Sequence, residues 1–60
     1  MNWLVLLRRD KGLTQQDIAD KAGITRQMLS AIERGKATPS VTAAKAIAEA
    51  VGTSWTKFFE

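Results

Sequence analysis

Apolar residues recur at helical spacing on both sides of Gly23, in the segment TQQDIADKAGITRQMLSAIE from Thr14 to Glu33. Its apolar positions are Ile18, Ala19, Ala22, Ile24, Leu29 and Ile32. Ile18 and Ala22 are four residues apart, and Leu29 and Ile32 are three apart, so each pair lies on one face of an α-helix. Glycine adopts a positive φ at little steric cost and therefore marks a sharp turn. The pattern predicts two short helices that cross at a steep angle, with the small Ala19 at their closest approach.

Capping residues and glycines mark the helix boundaries in the first half of the chain. A first helix is predicted from Asn2 to about Lys11, where Gly12 ends it. Thr14 caps the second helix, and Asp17, three residues further on, completes a capping-box pattern.

The later helices are delimited in the same way. A third helix is predicted from Thr25, its cap, to about Arg34. Ser40 caps an alanine-rich fourth helix that Gly52 ends, and a short fifth helix follows. The inward face of the fourth helix is predicted to contain Val41, Ala44, Ile47, Ala48 and Val51.

No segment alternates apolar and polar residues as a half-buried strand does. The sequence therefore predicts one all-α domain over residues 1–60, a compact bundle of five short helices. A chain of this length buries only about 60% of its unfolded surface, which leaves a small stability margin. Because the sequence has no Cys and no His, a disulfide and a zinc site are excluded.

The balance of charge favours an anionic partner. The formal net charge is +3 and the isoelectric point is about 9.8. The longest apolar run, Trp3–Leu7, has five residues, far fewer than a bilayer span needs. The charges follow this run, whereas a signal peptide would place them before it. We therefore expect a soluble cytoplasmic protein without a membrane partner.

Four short strings resemble one known family. They are GLTQ (Gly12–Gln15), IAxxAGIT (Ile18–Thr25), SxIExG (Ser30–Gly35) and PS (Pro39–Ser40). Together, at these spacings, they resemble the phage lambda-type repressor and Cro proteins, also called the XRE family. The resemblance covers about residues 4 to 59. It implies a lambda repressor-like fold with a helix-turn-helix at about residues 14–33, whose second helix enters the DNA major groove.

The resemblance also implies which side chains contact DNA. Gln15 would bind a phosphate, Arg26 and Gln27 would read base edges, and Arg34 and Lys36 would meet the backbone. The full predicted set is Thr14, Gln15, Gln16, Thr25, Arg26, Gln27, Ser30, Ala31, Arg34 and Lys36. The alternatives are that Gln15 only caps its helix, that the outer face of the third helix is merely solvated, and that Arg34 complements a helix C-terminus. Met28 either contacts a thymine methyl group or is partly buried in the core, and we favour partial burial.

Two further groups receive structural roles. Arg8 and Glu33 match a pair that the family uses inside the domain, so we expect a structural ion pair that neutralises Glu33. Three aromatic residues, Trp55, Phe58 and Phe59, crowd the last six positions. These aromatics, or the surplus apolar Trp3 and Leu6 of the first helix, either form a dimer interface or complete the core through a contact between Trp3 and Trp55. We expect the C-terminal group to form the interface of a homodimer.

The leading functional hypothesis is a sequence-specific transcriptional regulator, most simply a repressor, that binds palindrome-like duplex DNA. The alternative is an antitoxin-like protein-interaction module for which DNA binding is secondary. A chain without His, Cys or Tyr and without a phosphate-binding glycine loop offers no catalytic constellation. We expect no enzymatic activity, no cofactor, no metal and no small-molecule effector.

Overall fold

The computed structural model describes residues 2–60, so Met1 of the predicted domain lies outside it. Its elements are α1 (Asn2–Asp10), α2 (Gln15–Ala22), α3 (Arg26–Glu33), α4 (Val41–Val51) and a 3₁₀ helix (Trp55–Phe59). The described residues contain no strand, and the predicted all-α class is confirmed. The last element, predicted as a short fifth helix, is a 3₁₀ helix, and the Lys57 N–H donates to the Ser54 carbonyl at 3.1 Å in the i→i+3 pattern of such helices.

Three α-helices begin at the predicted caps. Thr14 Oγ1 accepts from the Asp17 N–H at 3.0 Å, and the Asp17 carboxylate accepts from the Thr14 N–H at 2.9 Å. This reciprocal pair is the predicted capping box. Thr25 and Ser40 cap α3 and α4 with one side-chain hydrogen bond each, of 3.0 and 3.1 Å. Each cap satisfies an N–H group that has no partner inside its own helix.

Gly23 produces the turn between α2 and α3. Its φ is 68°, in the left-handed region. No atom outside Gly23 and its two neighbouring residues lies within 4 Å of the place where a Cβ would be, so space does not require glycine here. The backbone angle requires it, and this angle sets the direction in which α3 leaves α2.

The core lies where α2 packs against α3 and α4, with α1 and the 3₁₀ helix closing it. Its buried members are Leu4, Ile18, Ala19, Leu29, Ile32, Ala44, Ile47, Ala48, Val51 and Phe58. Ala22 and Ile24 are partly buried against it. Val41 is a correction, since it is 49% exposed. It is the first residue of α4, and the buried face of that helix begins two residues later. None of the helices in the described part of the chain is long and apolar enough to cross a membrane.

The C-terminal aromatics pack within the chain. The Phe58 ring is 4.9 Å from that of Trp3, in an edge-to-face arrangement, and only 8% of Phe58 is exposed. Trp55 and Phe59 form a second edge-to-face pair at 6.0 Å. In the alternative to a dimer interface, Trp3 packs on Trp55; in the structure Trp3 pairs with Phe58 instead. Phe58 is corrected from an interface candidate to a core residue, while Phe59 remains 46% exposed.

Candidate DNA interface

The outer face of α3 carries polar side chains that have no partner among the described residues. Arg26 and Gln27 lie in its first turn, and both are exposed. Neither side chain makes a hydrogen bond or ion pair with any described residue. On the opposite face, Leu29 and Ile32 are fully buried. The Arg26 guanidinium and the Gln27 amide are therefore exposed to solvent on a helix whose opposite face is buried in the core.

The remaining predicted positions on α3 differ in exposure. Thr25 is exposed; its hydroxyl oxygen accepts from the Met28 N–H, and its own O–H can still donate. Ser30 and Ala31 are half-buried along the same helix. Met28 is 45% exposed, so the favoured partial burial is wrong. Met28 lies beside Ile32 at the edge of the buried stripe, but it is not among the hydrophobic residues that pack against the core.

Beyond the end of α3 lie two cationic side chains. Arg34 is exposed, and its Nε donates to the Ser30 carbonyl at 3.3 Å. The alternative role for Arg34, a cation that complements a helix C-terminus, is thus present in the structure. Lys36 is exposed, and its backbone N–H donates to the Ala31 carbonyl at 2.8 Å. This bond holds the chain that carries Lys36 against the last turn of α3.

The start of α2 presents backbone N–H groups to solvent. The capping box uses those of Thr14 and Asp17, whereas those of Gln15 and Gln16 occupy the first helical positions, where no intrahelical acceptor exists. Together with the helix dipole they favour an anion. The Gln16 amide itself donates to Asp20 at 2.8 Å. The helix start is therefore suited to a phosphate even though Asp17 is close by.

The Asp17 carboxylate is held in its charged form by its cap partners. The Thr14 backbone N–H, followed by the Thr14 hydroxyl, lowers the pKa of Asp17, and the nearby Lys21 lowers it further. Its negative charge is therefore offset by the Thr14 N–H and by Lys21. Its role is structural.

A buried carboxylate connects α1, α2 and α3. Arg8 Nε lies 2.7 Å from Glu33 Oε2, and the side chains are 12% and 5% exposed. Arg8 Nη1 donates to the Leu13 carbonyl at 3.0 Å. The ion pair expected between Arg8 and Glu33 is thus present. It offsets the unfavourable position of a carboxylate at the negative end of the α3 dipole.

Sequence reasoning missed the third member of this network. Gln15 Nε2 donates to Glu33 Oε1 at 2.7 Å, across 18 positions of sequence. The contact places the first residue of α2 directly against the last residue of α3. The one signal in the sequence was that a buried carboxylate needs more than one donor, which does not say which donor it finds.

The structure thus places the predicted DNA-contacting residues at the start of α2, along the outside of α3 and just beyond its end. Gln15 is half-buried, whereas Thr14 and Gln16 are exposed. Within the described residues no group of three potential metal ligands occurs. The site therefore combines hydrogen-bond donors and positive charge on the packed pair α2 and α3.

Comparison with known proteins agrees with this geometry. Residues 4–58 match the HTH_3 family, described as helix-turn-helix. A relative from Bacillus subtilis, the uncharacterized HTH-type transcriptional regulator YqaF, is 45% identical over 58 residues, which cover 97% of this chain and 76% of the relative. The immunity repressor protein of Bacillus phage phi105 is 39% identical over 46 residues, covering 77% of this chain and 32% of the repressor.

A solved structure gives the same result. The crystal structure of an HTH_3 family transcriptional regulator from Vibrio cholerae superposes with a TM-score of 0.73 at 34% identity, over 97% of this chain. The chain spans 33% of that protein's length. The match in sequence and in fold confirms the resemblance to lambda-type repressors. The chain belongs to the HTH_3 family of helix-turn-helix transcriptional regulators.

Proposed function

We propose that this protein is a sequence-specific repressor that binds duplex DNA as a homodimer, with α3 in the major groove. The observation that carries the proposal is the pair of unpartnered side chains on the first turn of α3. The N-terminal part of a recognition helix lies deepest in the groove. There Arg26 can donate to O6 and N7 of guanine, and Gln27 can pair with N6 and N7 of adenine.

The flanking groups supply affinity without sequence preference. The α2 N-terminus, Arg34 and Lys36 are suited to phosphates. A dimer that makes about 6–10 phosphate contacts loses roughly three to five decades of affinity between 50 and 200 mM salt. We therefore expect a steep salt dependence together with sequence selectivity.

A dimer is required because one recognition helix reads too few base pairs to be selective. Two copies on one face of DNA place their recognition helices about 34–36 Å apart. The domain measures only 24 × 20 × 19 Å. For two copies in contact to reach that separation, α3 of each copy must lie on the side of its domain away from the two-fold axis. Phe59 and Leu6, 46% and 65% exposed, together with the half-buried Trp55, are the apolar candidates for the contact.

The repressive sign is supported by the name of the phage phi105 relative, an immunity repressor protein. A compact DNA-binding domain represses most simply by occupying a promoter, and such a regulator would act at the nucleoid, in the cytoplasm.

Gel-shift titration of one selected duplex against a shuffled duplex of equal composition, repeated across a salt series, tests the proposal. Selective binding that weakens steeply with salt supports it. Equal binding to both duplexes, or a flat salt response, contradicts it.

A further inference from the structure

We propose that Glu33 is a positioning residue for DNA binding, which acts by holding the side-chain amide of Gln15 in the orientation that donates to a phosphate. This inference rests on the proposed function and adds to it a role for a side chain that is itself buried. The role is distinct from that of the ion pair with Arg8.

The two oxygens of the Glu33 carboxylate have different short partners. Oε2 accepts from Arg8 Nε at 2.7 Å. Oε1 accepts from Gln15 Nε2 at 2.7 Å, whereas Arg8 Nη2 lies 3.5 Å away from it. Of the contacts with described residues, the shortest to Oε2 is therefore from Arg8 and the shortest to Oε1 is from Gln15.

The chemistry of the carboxylate fixes the orientation of the amide. An ionised carboxylate only accepts hydrogen bonds, so the NH₂ group of Gln15, and not its carbonyl oxygen, must face Glu33. The amide nitrogen has two N–H groups, and one of them is used by Glu33. The other makes no hydrogen bond with a described residue, so it can donate to an acceptor such as a phosphate oxygen.

This orientation matters because an amide can turn either way. A free glutamine side chain also samples orientations in which its carbonyl oxygen, which an anion repels, faces the binding position. Fixing the side chain before DNA arrives also removes part of the conformational entropy lost on binding. Arg8 neutralises the Glu33 charge close by, so that this carboxylate does not repel the phosphate it helps to bind.

A double-mutant cycle on DNA affinity tests the inference, with the duplex that the wild-type protein selects and at a temperature where circular dichroism shows every variant folded. Glu33→Gln should weaken binding about tenfold per protomer, the effect of losing one hydrogen bond to a charged group. In a Gln15→Ala background the same change should have less than a twofold effect. In a Gln16→Ala background the full effect should remain, because Gln16 lies in the same turn but donates to Asp20.

Equal weakening by Glu33→Gln with and without Gln15 would overturn the inference, because Glu33 would then act only through the placement of α3. Glu33→Asp, which keeps the charge but shortens the side chain, serves for the same cycle if Glu33→Gln does not fold.

An NMR measurement does not depend on any variant. One Gln15 Nε2 proton should be shifted downfield in free wild type, and the second should shift when the duplex is added.

A Gln15 amide with the chemical shifts of a solvated glutamine would contradict the proposed orientation. A wild-type protein that binds no duplex would overturn this inference together with the proposed function. A wild-type protein that binds selectively, with independent effects of the two substitutions, would overturn this inference alone.

Discussion

The Arg8 guanidinium lies 2.7 Å from the Glu33 carboxylate, with only 12% and 5% of the two side chains exposed. This contact joins α1 to the last residue of α3 and so fixes the helix proposed to enter DNA against the rest of the domain. A buried ion pair adds little net stability when both partners are present, but it is costly to break, because the remaining charge is left buried.

We predict that Arg8→Ala and Glu33→Ala each destabilise the fold by about 3–5 kcal/mol. That is a large part of the roughly 3–9 kcal/mol expected for a domain of this length. Urea unfolding followed by circular dichroism measures the loss. Arg9→Ala is the matched control, since Arg9 is the exposed neighbour of Arg8 and makes no ion pair with a described residue. Unfolding midpoints of the two buried variants that equal that of the control would refute the prediction.

We predict that Gly23→Ala lowers stability by about 1–2 kcal/mol, the cost of a left-handed backbone for a residue with a Cβ. Because no atom from elsewhere in the domain lies within 4 Å of the Cβ position, the cost comes from the φ of 68°. Gly23→Asn should cost less, since asparagine tolerates this conformation better than alanine. Thermal unfolding of the three proteins gives the order, and an alanine variant as stable as the wild type would be inconsistent with the turn described.

The contribution of Asp17 to stability should depend on pH. Since its pKa is lowered in the folded state, the unfolded chain binds the proton more readily. The stabilisation is therefore complete above the ordinary aspartate pKa and is lost as the pH falls through the lowered value. Wild type and Asp17→Asn should differ in unfolding midpoint at neutral pH and converge in acid. A difference that stays constant down to acid pH would argue against the capping box as its source.

The two C-terminal phenylalanines should respond differently to the same substitution. Phe58→Glu buries a charge in the core and should unfold the domain, whereas Phe59→Glu leaves the fold intact because its side chain is 46% exposed. If the proposed dimer uses Phe59, its variant sediments as a folded monomer under conditions where the wild type is a dimer. A Phe59→Glu protein that remains dimeric would place the interface elsewhere.

The sequence predicts best what depends on neighbouring residues. The caps at Thr14, Thr25 and Ser40 and the turn at Gly23 follow from local hydrogen bonding and backbone sterics, and the structure has all four. The pair of Arg8 and Glu33 came from the family resemblance, because residues 25 positions apart carry no local signal.

The errors concern tertiary position. Helical periodicity indicates which face of a helix is apolar, but not where along the helix its neighbours begin and end. Val41 therefore lies beyond the packed part of α4, and Met28 lies outside the buried stripe of α3. Phe58 is buried because Trp3, from the opposite end of the chain, packs against it. The contact between Gln15 and Glu33 was missed for the same reason, since it depends on how α2 crosses α3.

We predict that the residues on α3 and those around it affect DNA binding in different ways. Arg26→Ala and Gln27→Ala should each cost about 1–3 kcal/mol at the preferred site and relax base preference at one or two positions per half-site. Lys36→Ala should weaken binding to all sequences alike and reduce the slope of log affinity against log salt. Affinities for a panel of single-base variants of the site make the comparison. An unchanged base preference in the α3 variants would mean that another surface reads the sequence.

Selection of bound sequences from a random duplex pool tests the central claim, that α3 reads base sequence in the major groove, most directly. The account predicts enrichment of a palindrome-like site whose half-sites are centred about 10–10.5 base pairs apart, or a multiple of one turn. It also predicts that Arg26→Ala loses part of that enrichment while remaining folded. A pool that stays random after selection with the folded wild-type protein would contradict the account.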